Sequence, residues 1–272
     1  MMILEYLLVG FGWACVWSFL FLVQQRFDRK NTFWTRAEVL RWRSYDEETK
    51  KTLQRYELIP IFSFLWQKGK ARQGGKNLSY RYLIHELVCA GIAVLGRGFL
   101  GWTKLAIWAI VTICILYFLA VYDLRKHLLH TGLWQLLFAR SIVWIVLTQA
   151  WWNSLVFGAI FTATMFILYR AARRYAKYRY NQEEWLGIWD IRLAGVLGLM
   201  IPSLFVLHGI TRSSLDASNV VVLFFLGSGV RWLVFALGEY SIKKEQHVAF
   251  VPGMAMSFVT LLLFLPFLLR LL

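Results

Sequence analysis

Two aspartates stand at the edges of long apolar runs, Asp123 in FLAVYDLRKHLLH and Asp190 in GIWDIRLAGVLGLMIP. Sixty-seven residues separate them, and an arginine follows each two positions on, Arg125 and Arg192. A single carboxylate at such an edge has an ordinary explanation, an interfacial group solvated or paired with its arginine. Two at the same depth on one side of a membrane have a chemical explanation as well, because carboxylates there usually face a bundle interior or a wet cavity. Two carboxyls sharing a site cannot both ionise comfortably, so one keeps a proton while the other acts as base. The base takes a proton from water, the water attacks a carbonyl, and the acid protonates the leaving nitrogen. The pair reads as a hydrolytic acid–base couple.

The elements that must position this couple are membrane helices. The 272 residues are 59% hydrophobic and 17% aromatic, and mean hydropathy is +0.54. A soluble domain is closer to half apolar and a quarter charged. Eight segments are long enough, or nearly so, to cross ~30 Å of hydrocarbon as helices: 3–23, 82–99, 104–122, 132–150, 153–171, 191–210, 218–237 and 249–270. The first has neither a basic leading region nor a small-residue cleavage site, and is expected to stay as a helix. The fold expected is an all-α, polytopic membrane bundle. Residues 1–24 form the first transmembrane helix, 25–81 a cytoplasmic loop domain, and 82–272 a catalytic transmembrane bundle.

The net charge of +15 is arranged as topology. Residues 25–81 carry fourteen Lys/Arg against six Asp/Glu. Arg125, Lys126, Arg173, Arg174, Lys177, Arg179, Lys243 and Lys244 mark the other loops on that side, and the opposite loops carry little beyond Arg97, Lys104 and Arg212. By the positive-inside pattern both chain ends lie outside and the long loop lies in the cytoplasm. A smaller share of the basic excess suits anionic lipid, and the tyrosine–arginine run RRYAKYRYNQ reads as a headgroup-level anchor rather than a nucleic-acid surface. Cys15, Cys89 and Cys114 all fall in expected spans with neither disulfide nor zinc spacing, and read as packing residues. Arg140 and Arg231, within expected spans, each need a partner or a polar cavity. His85 and His127 read as interfacial, and Glu86 as structural.

GIWDIRLAGVLGL resembles the second active-site motif of the type IV prepilin peptidases, Gly-x-Gly-Asp followed by a basic residue and leucine. Gly187 matches the first glycine, Asp190 the catalytic aspartate, Arg192 the basic residue and Leu193 the leucine. Asp123-Leu124 is similar to the first motif. ELIPIFSFLWQKGKARQGGKNLSYRYLIHEL follows the family's cytoplasmic segment at Ile59-Pro60, Ser63, Gly69-Lys70, Ser79, Arg81-Tyr82 and Glu86. AFVPGMAMSF resembles a later Pro-Phe-Gly-Pro stretch at Phe250 and Pro252. The chain departs from the pattern at Trp189, which takes the second motif glycine, at Arg125, and at His130-Thr131, where the family has Pro-Asp. Many members carry two Cys-x-x-Cys pairs in the loop, a four-thiolate zinc signature. Here the first pair falls near Asp46 and Thr49, and Ala71 and Gly74 stand at the second. The loop must then fold by packing residues such as Trp42, Leu65 and Trp66. The purified protein is expected to hold no structural zinc, and elemental analysis finding about one zinc per chain would contradict this.

The resemblance implies a bacterial inner-membrane aspartyl endopeptidase, multi-pass, that removes leaders from type IV pilin-like precursors at the cytoplasmic face. Proteolysis needs no cofactor. N-methylation of the new N-terminus with S-adenosylmethionine is implied by the resemblance alone. The partners are the precursors and membrane lipid, with no nucleic acid. Two alternatives stand beside this reading: an inactive relative that binds or escorts pilin-like helices, for which Trp189 speaks, and a transporter using the two aspartates as ion sites, which would place them near mid-membrane.

Overall fold

The computed structural model describes residues 2–30, 59–70, 80–101, 103–126, 129–180, 187–207 and 251–271, together with positions 224 and 227. Among these the chain is all α, with no strand. The helices are α1 (Met2–Lys30), α2 (Phe62–Trp66), α3 (Tyr80–Leu100), α4 (Lys104–Lys126), α5 (Thr131–Thr148), α6 (Trp151–Tyr180), α7 (Ile188–Leu207) and α8 (Val251–Leu271). Seven coincide with expected spans. Apart from positions 224 and 227, the expected span 218–237 lies outside the described residues, as do most of the loop 25–81, Trp42 included, and Arg231 and His127. Four stretches are long and apolar enough to cross a membrane: Ala106–Lys126, Thr131–Thr148, Trp151–Arg174 and Ile188–Val206. The chain is an all-α membrane helix bundle.

The described chain divides into two compact units, Met1–Cys114 and Ile115–Leu272, the division falling within α4. In the first unit α1 and α3 pack side by side. Glycine permits the close approach: a Cβ on Gly10 would stand 3.1 Å from Val94, and one on Gly96 2.6 Å from Ile110 of α4. Arg97 closes one end on Glu5 at 2.8 Å, over the Tyr6 ring. Cys89 and Cys114 are buried and Cys15 half-buried, all free. His85, expected at an interface, is buried instead. Leu65 and Trp66, expected to pack the loop, are exposed, at 60% and 83%. Phe64 does that packing instead, against Gly69 and against Tyr80 at 5.2 Å, while Phe62 meets Phe11 at 6.0 Å.

In the second unit α7 is the central helix. Leu193, Leu197, Met200, Ile201 and Leu204 are all fully buried. It lies tight on α6, where Phe161 also meets Phe224 at 4.8 Å. Van der Waals packing and small residues drive such association, since lipid is as apolar as the helices themselves. On the α5 side the hydroxyls of Thr148 and Ser203 lie 3.1 Å apart. A short connection joins α5 to α6, closed by Gln149 in the left-handed conformation (φ 54°) with its N–H on the Val146 carbonyl.

Candidate active site

Asp123 lies in the last turn of α4 and Asp190 in the first turn of α7, so each sits at a helix end as the apolar runs imply. Both carboxylates are buried, 6% and 9% exposed, which sets them apart from solvated interfacial groups. The arginines that follow them are exposed. The two aspartates lie within electrostatic reach of each other, the charge of Asp123 acting on Asp190. The fold therefore places within range of each other's charge two residues that the sequence separates by 67 positions.

Each carboxylate is held by a backbone donor. Asp190 Oδ2 accepts the Gly187 N–H at 3.0 Å, while its own N–H donates to the Gly187 carbonyl at 3.1 Å. This is the reach-back half of a capping box, an acid in the first turn satisfying the donor at the helix start. It also sets a negative group at the positive end of the helix dipole. Gly187 is exposed, and a Cβ there would meet nothing closer than Asp190 Oδ2 at 3.5 Å, an ordinary contact. Asp123 Oδ2 accepts the Val251 N–H at 3.0 Å. Val251 opens α8 and is buried, and the proline after it brings no N–H of its own. The first turn of α8 thus presents a backbone donor to Asp123 from 128 residues away in the chain.

Trp189 finds room between two neighbours. Its half-buried indole lies under the Arg192 guanidinium, 4.2 Å from the ring centroid, and edge-on to Trp134 of α5 at 6.4 Å. Trp134 in turn stacks on Phe138 at 5.6 Å with the rings 6° from parallel. A ladder of three aromatic rings capped by a cation joins α5 to the start of α7. With Trp189 in place, Asp190 still accepts the Gly187 N–H.

Two contributors escaped sequence reasoning. His130, read only as a departure from the family's Pro-Asp, is the N-cap of α5. Its Nδ1 accepts the Leu133 N–H at 3.2 Å, and its ring stands edge-on to Tyr122, next to Asp123, at 5.1 Å. A polar residue just ahead of an apolar run is a capping signal that could have found it. The Val251 N–H had no signal, because a backbone donor has no residue type. Among the described residues no group of three or more His, Cys, Asp or Glu could hold a metal ion.

Residues 11–97 match the family model described as Bacterial Peptidase A24 N-terminal domain. Three curated relatives are each named prepilin leader peptidase/N-methyltransferase. That of Xanthomonas campestris pv. campestris is 36% identical over 86 residues, 32% of this chain and 30% of the relative. That of Pectobacterium carotovorum subsp. carotovorum is 31% identical over 148 residues, 52% and 49%. That of Bacillus subtilis is 38% identical over 80 residues, 29% and 32%. The matches thus span between about a third and a half of these relatives' length. No solved structure matches. The family-model match falls in the first unit, and both aspartates fall in the second. These matches support the chain's placement in the type IV prepilin peptidase family.

Proposed function

We propose that this chain is a membrane aspartyl endopeptidase that cleaves leader peptides from type IV pilin-like precursors at the cytoplasmic face of the bacterial inner membrane. The observation that carries the reading is the burial of Asp123 and Asp190 within electrostatic reach of each other at two helix ends. The ionised carboxyl takes a proton from water, and the water oxygen bonds to the scissile carbonyl carbon. The protonated carboxyl then gives its proton to the leaving nitrogen as the C–N bond breaks. The backbone donors at Gly187 and Val251 each engage one oxygen of their aspartate and so restrict its orientation. A membrane site suits a substrate that is itself an apolar helix behind a charged leader. N-methylation with S-adenosylmethionine rests on the resemblance and on the relatives' names alone.

A second reading, an inactive relative that binds pilin-like helices, is favoured by Trp189. Co-expression with candidate pilin-like precursors, followed by the size of the precursor, tests the first reading. The expected result is leader removal by the native chain and by Trp189→Gly alike, since the indole is turned to Arg192 and Trp134. Cleavage by Trp189→Gly alone would show a lapsed protease, and cleavage by neither would remove the peptidase reading.

A further inference from the structure

Residues 59–70 lie within the stretch that charge assigns to the cytoplasm, yet their contacts reach along membrane helices. Glu86 of α3 accepts the Ser18 hydroxyl of α1 and the Ile61 N–H, each at 2.7 Å. At the other end of the same helix pair, Arg97 meets Glu5. Thirteen residues separate Glu5 from Ser18 and eleven separate Arg97 from Glu86. At 1.5 Å per residue, Glu86 therefore lies roughly 16–20 Å from that ion pair. This is well short of the ~30 Å of hydrocarbon that the pair would cross as the expected spans 3–23 and 82–99. Phe62 goes further in: its ring meets Phe11, which is only six residues, roughly 9 Å, from Glu5 along α1.

The segment is built as hydrocarbon requires. A non-helical backbone enters a membrane only with its polar groups satisfied. The N–H groups of Phe62, Ser63, Leu65, Gln67, Lys68, Gly69 and Lys70 all donate to carbonyls within the segment, and that of Ile61 donates to Glu86. Left-handed residues turn the chain at both ends, Ile61 (φ 65°) at the start, Lys68 (φ 49°) and Gly69 (φ 70°) at the finish. A β-branched residue with positive φ is rare, and persists where surrounding structure over-determines it. The Glu86 bond to its N–H is such a constraint. Phe62, Leu65 and Trp66, the outward side chains of the single turn α2, are exposed at 60% or more. Lys68 and Lys70 follow, both exposed, and long enough to carry their charge back to headgroups.

We propose that residues 59–70 form a re-entrant wedge that enters from the basic side of the membrane and reaches about its midplane, with Phe62, Leu65 and Trp66 against lipid and Glu86 as its anchor. The partner is phospholipid: acyl chain at Phe62, the interfacial zone at Trp66, and anionic headgroup at Lys68 and Lys70. Spin labels at single cysteines replacing Phe62, Leu65, Trp66 and Lys70 test it, in a Cys15→Ala, Cys89→Ala, Cys114→Ala background. The protein is placed in vesicles of phosphatidylethanolamine and phosphatidylglycerol. Labels at 62, 65 and 66 are expected to collide more with oxygen than with an aqueous nickel chelate, and the label at 70 the reverse. Preference for the chelate at 62–66 would place the segment in water and overturn the proposal. Shielding from both reagents would show that protein, a second copy or a substrate, covers the face, and would overturn it equally. The unmodified protein gives a second measurement. Hydroxyl-radical footprinting is expected to oxidise Trp66 several-fold less in the same vesicles than in the chain unfolded in urea, since the protein itself leaves this side chain 83% exposed. Equal oxidation would also overturn it.

Discussion

Asp123→Asn and Asp190→Asn are each expected to abolish leader removal while the protein still folds and inserts. One carboxylate cannot both activate water and protonate the leaving amine, so losing either stops the reaction. Asparagine keeps the side-chain shape and an oxygen that can accept the Gly187 or Val251 N–H, so the local hydrogen bond survives. The losses are expected to be non-additive, the double variant no worse than either single one, as for groups that act as a unit. Immunoblots of a co-expressed pilin-like precursor, normalised to peptidase in the membrane fraction, read this directly. A purely capping role predicts a different result: less protein, with cleavage in proportion to what remains. Normal cleavage by a well-expressed Asp190→Asn chain would end the acid–base assignment.

The helices and their charge pattern were legible because a membrane imposes a length and a composition on whatever crosses it. The aspartates were legible for the same reason, since a carboxylate at the edge of an apolar run is conspicuous. Their burial was not. It arises from tertiary packing that no local pattern reveals, and in Asp123's case it comes with a backbone donor 128 residues away that any residue could supply. Leu65 and Trp66 show the complementary failure. In a soluble chain exposed leucine and tryptophan would be unusual enough to argue for a core, whereas beside lipid the same residues are content to face outward. Trp189 stands in the sequence as a departure from a motif glycine. What was invisible in sequence was its partner set, Trp134 from α5 and Arg192 three residues along, which gives the indole a place of its own. His130 belongs to the same class, a departure from pattern that turns out to cap α5.

Gly198→Val is expected to cost stability and, beyond that, activity, because this glycine sets how closely α7 lies on α6. A Cβ at Gly198 would stand 2.8 Å from the Phe157 carbonyl oxygen and 2.8 Å from Phe161 Cβ, and neither atom is the free end of a flexible side chain. Relief requires the helices to move apart, and overpacking of this kind typically costs about 1–3 kcal/mol. Gly158 makes the comparison: a Cβ there would be 2.7 Å from Leu199 Cδ2 and 2.8 Å from its Cγ, side-chain atoms that a rotamer change can withdraw, with the nearest backbone atom at 3.5 Å, so Gly158→Ala is expected to be milder. Asp190 lies eight residues before Gly198, roughly 12 Å along α7, and moves with the helix. Misplacing a reacting group by as little as ~1 Å costs on the order of a hundredfold in rate. Cleavage per folded molecule by Gly198→Val should therefore fall much further than its thermal midpoint in detergent alone would imply. Gly158→Ala should lose little of either. Wild-type stability and cleavage in Gly198→Val would mean that α6 and α7 do not make this contact.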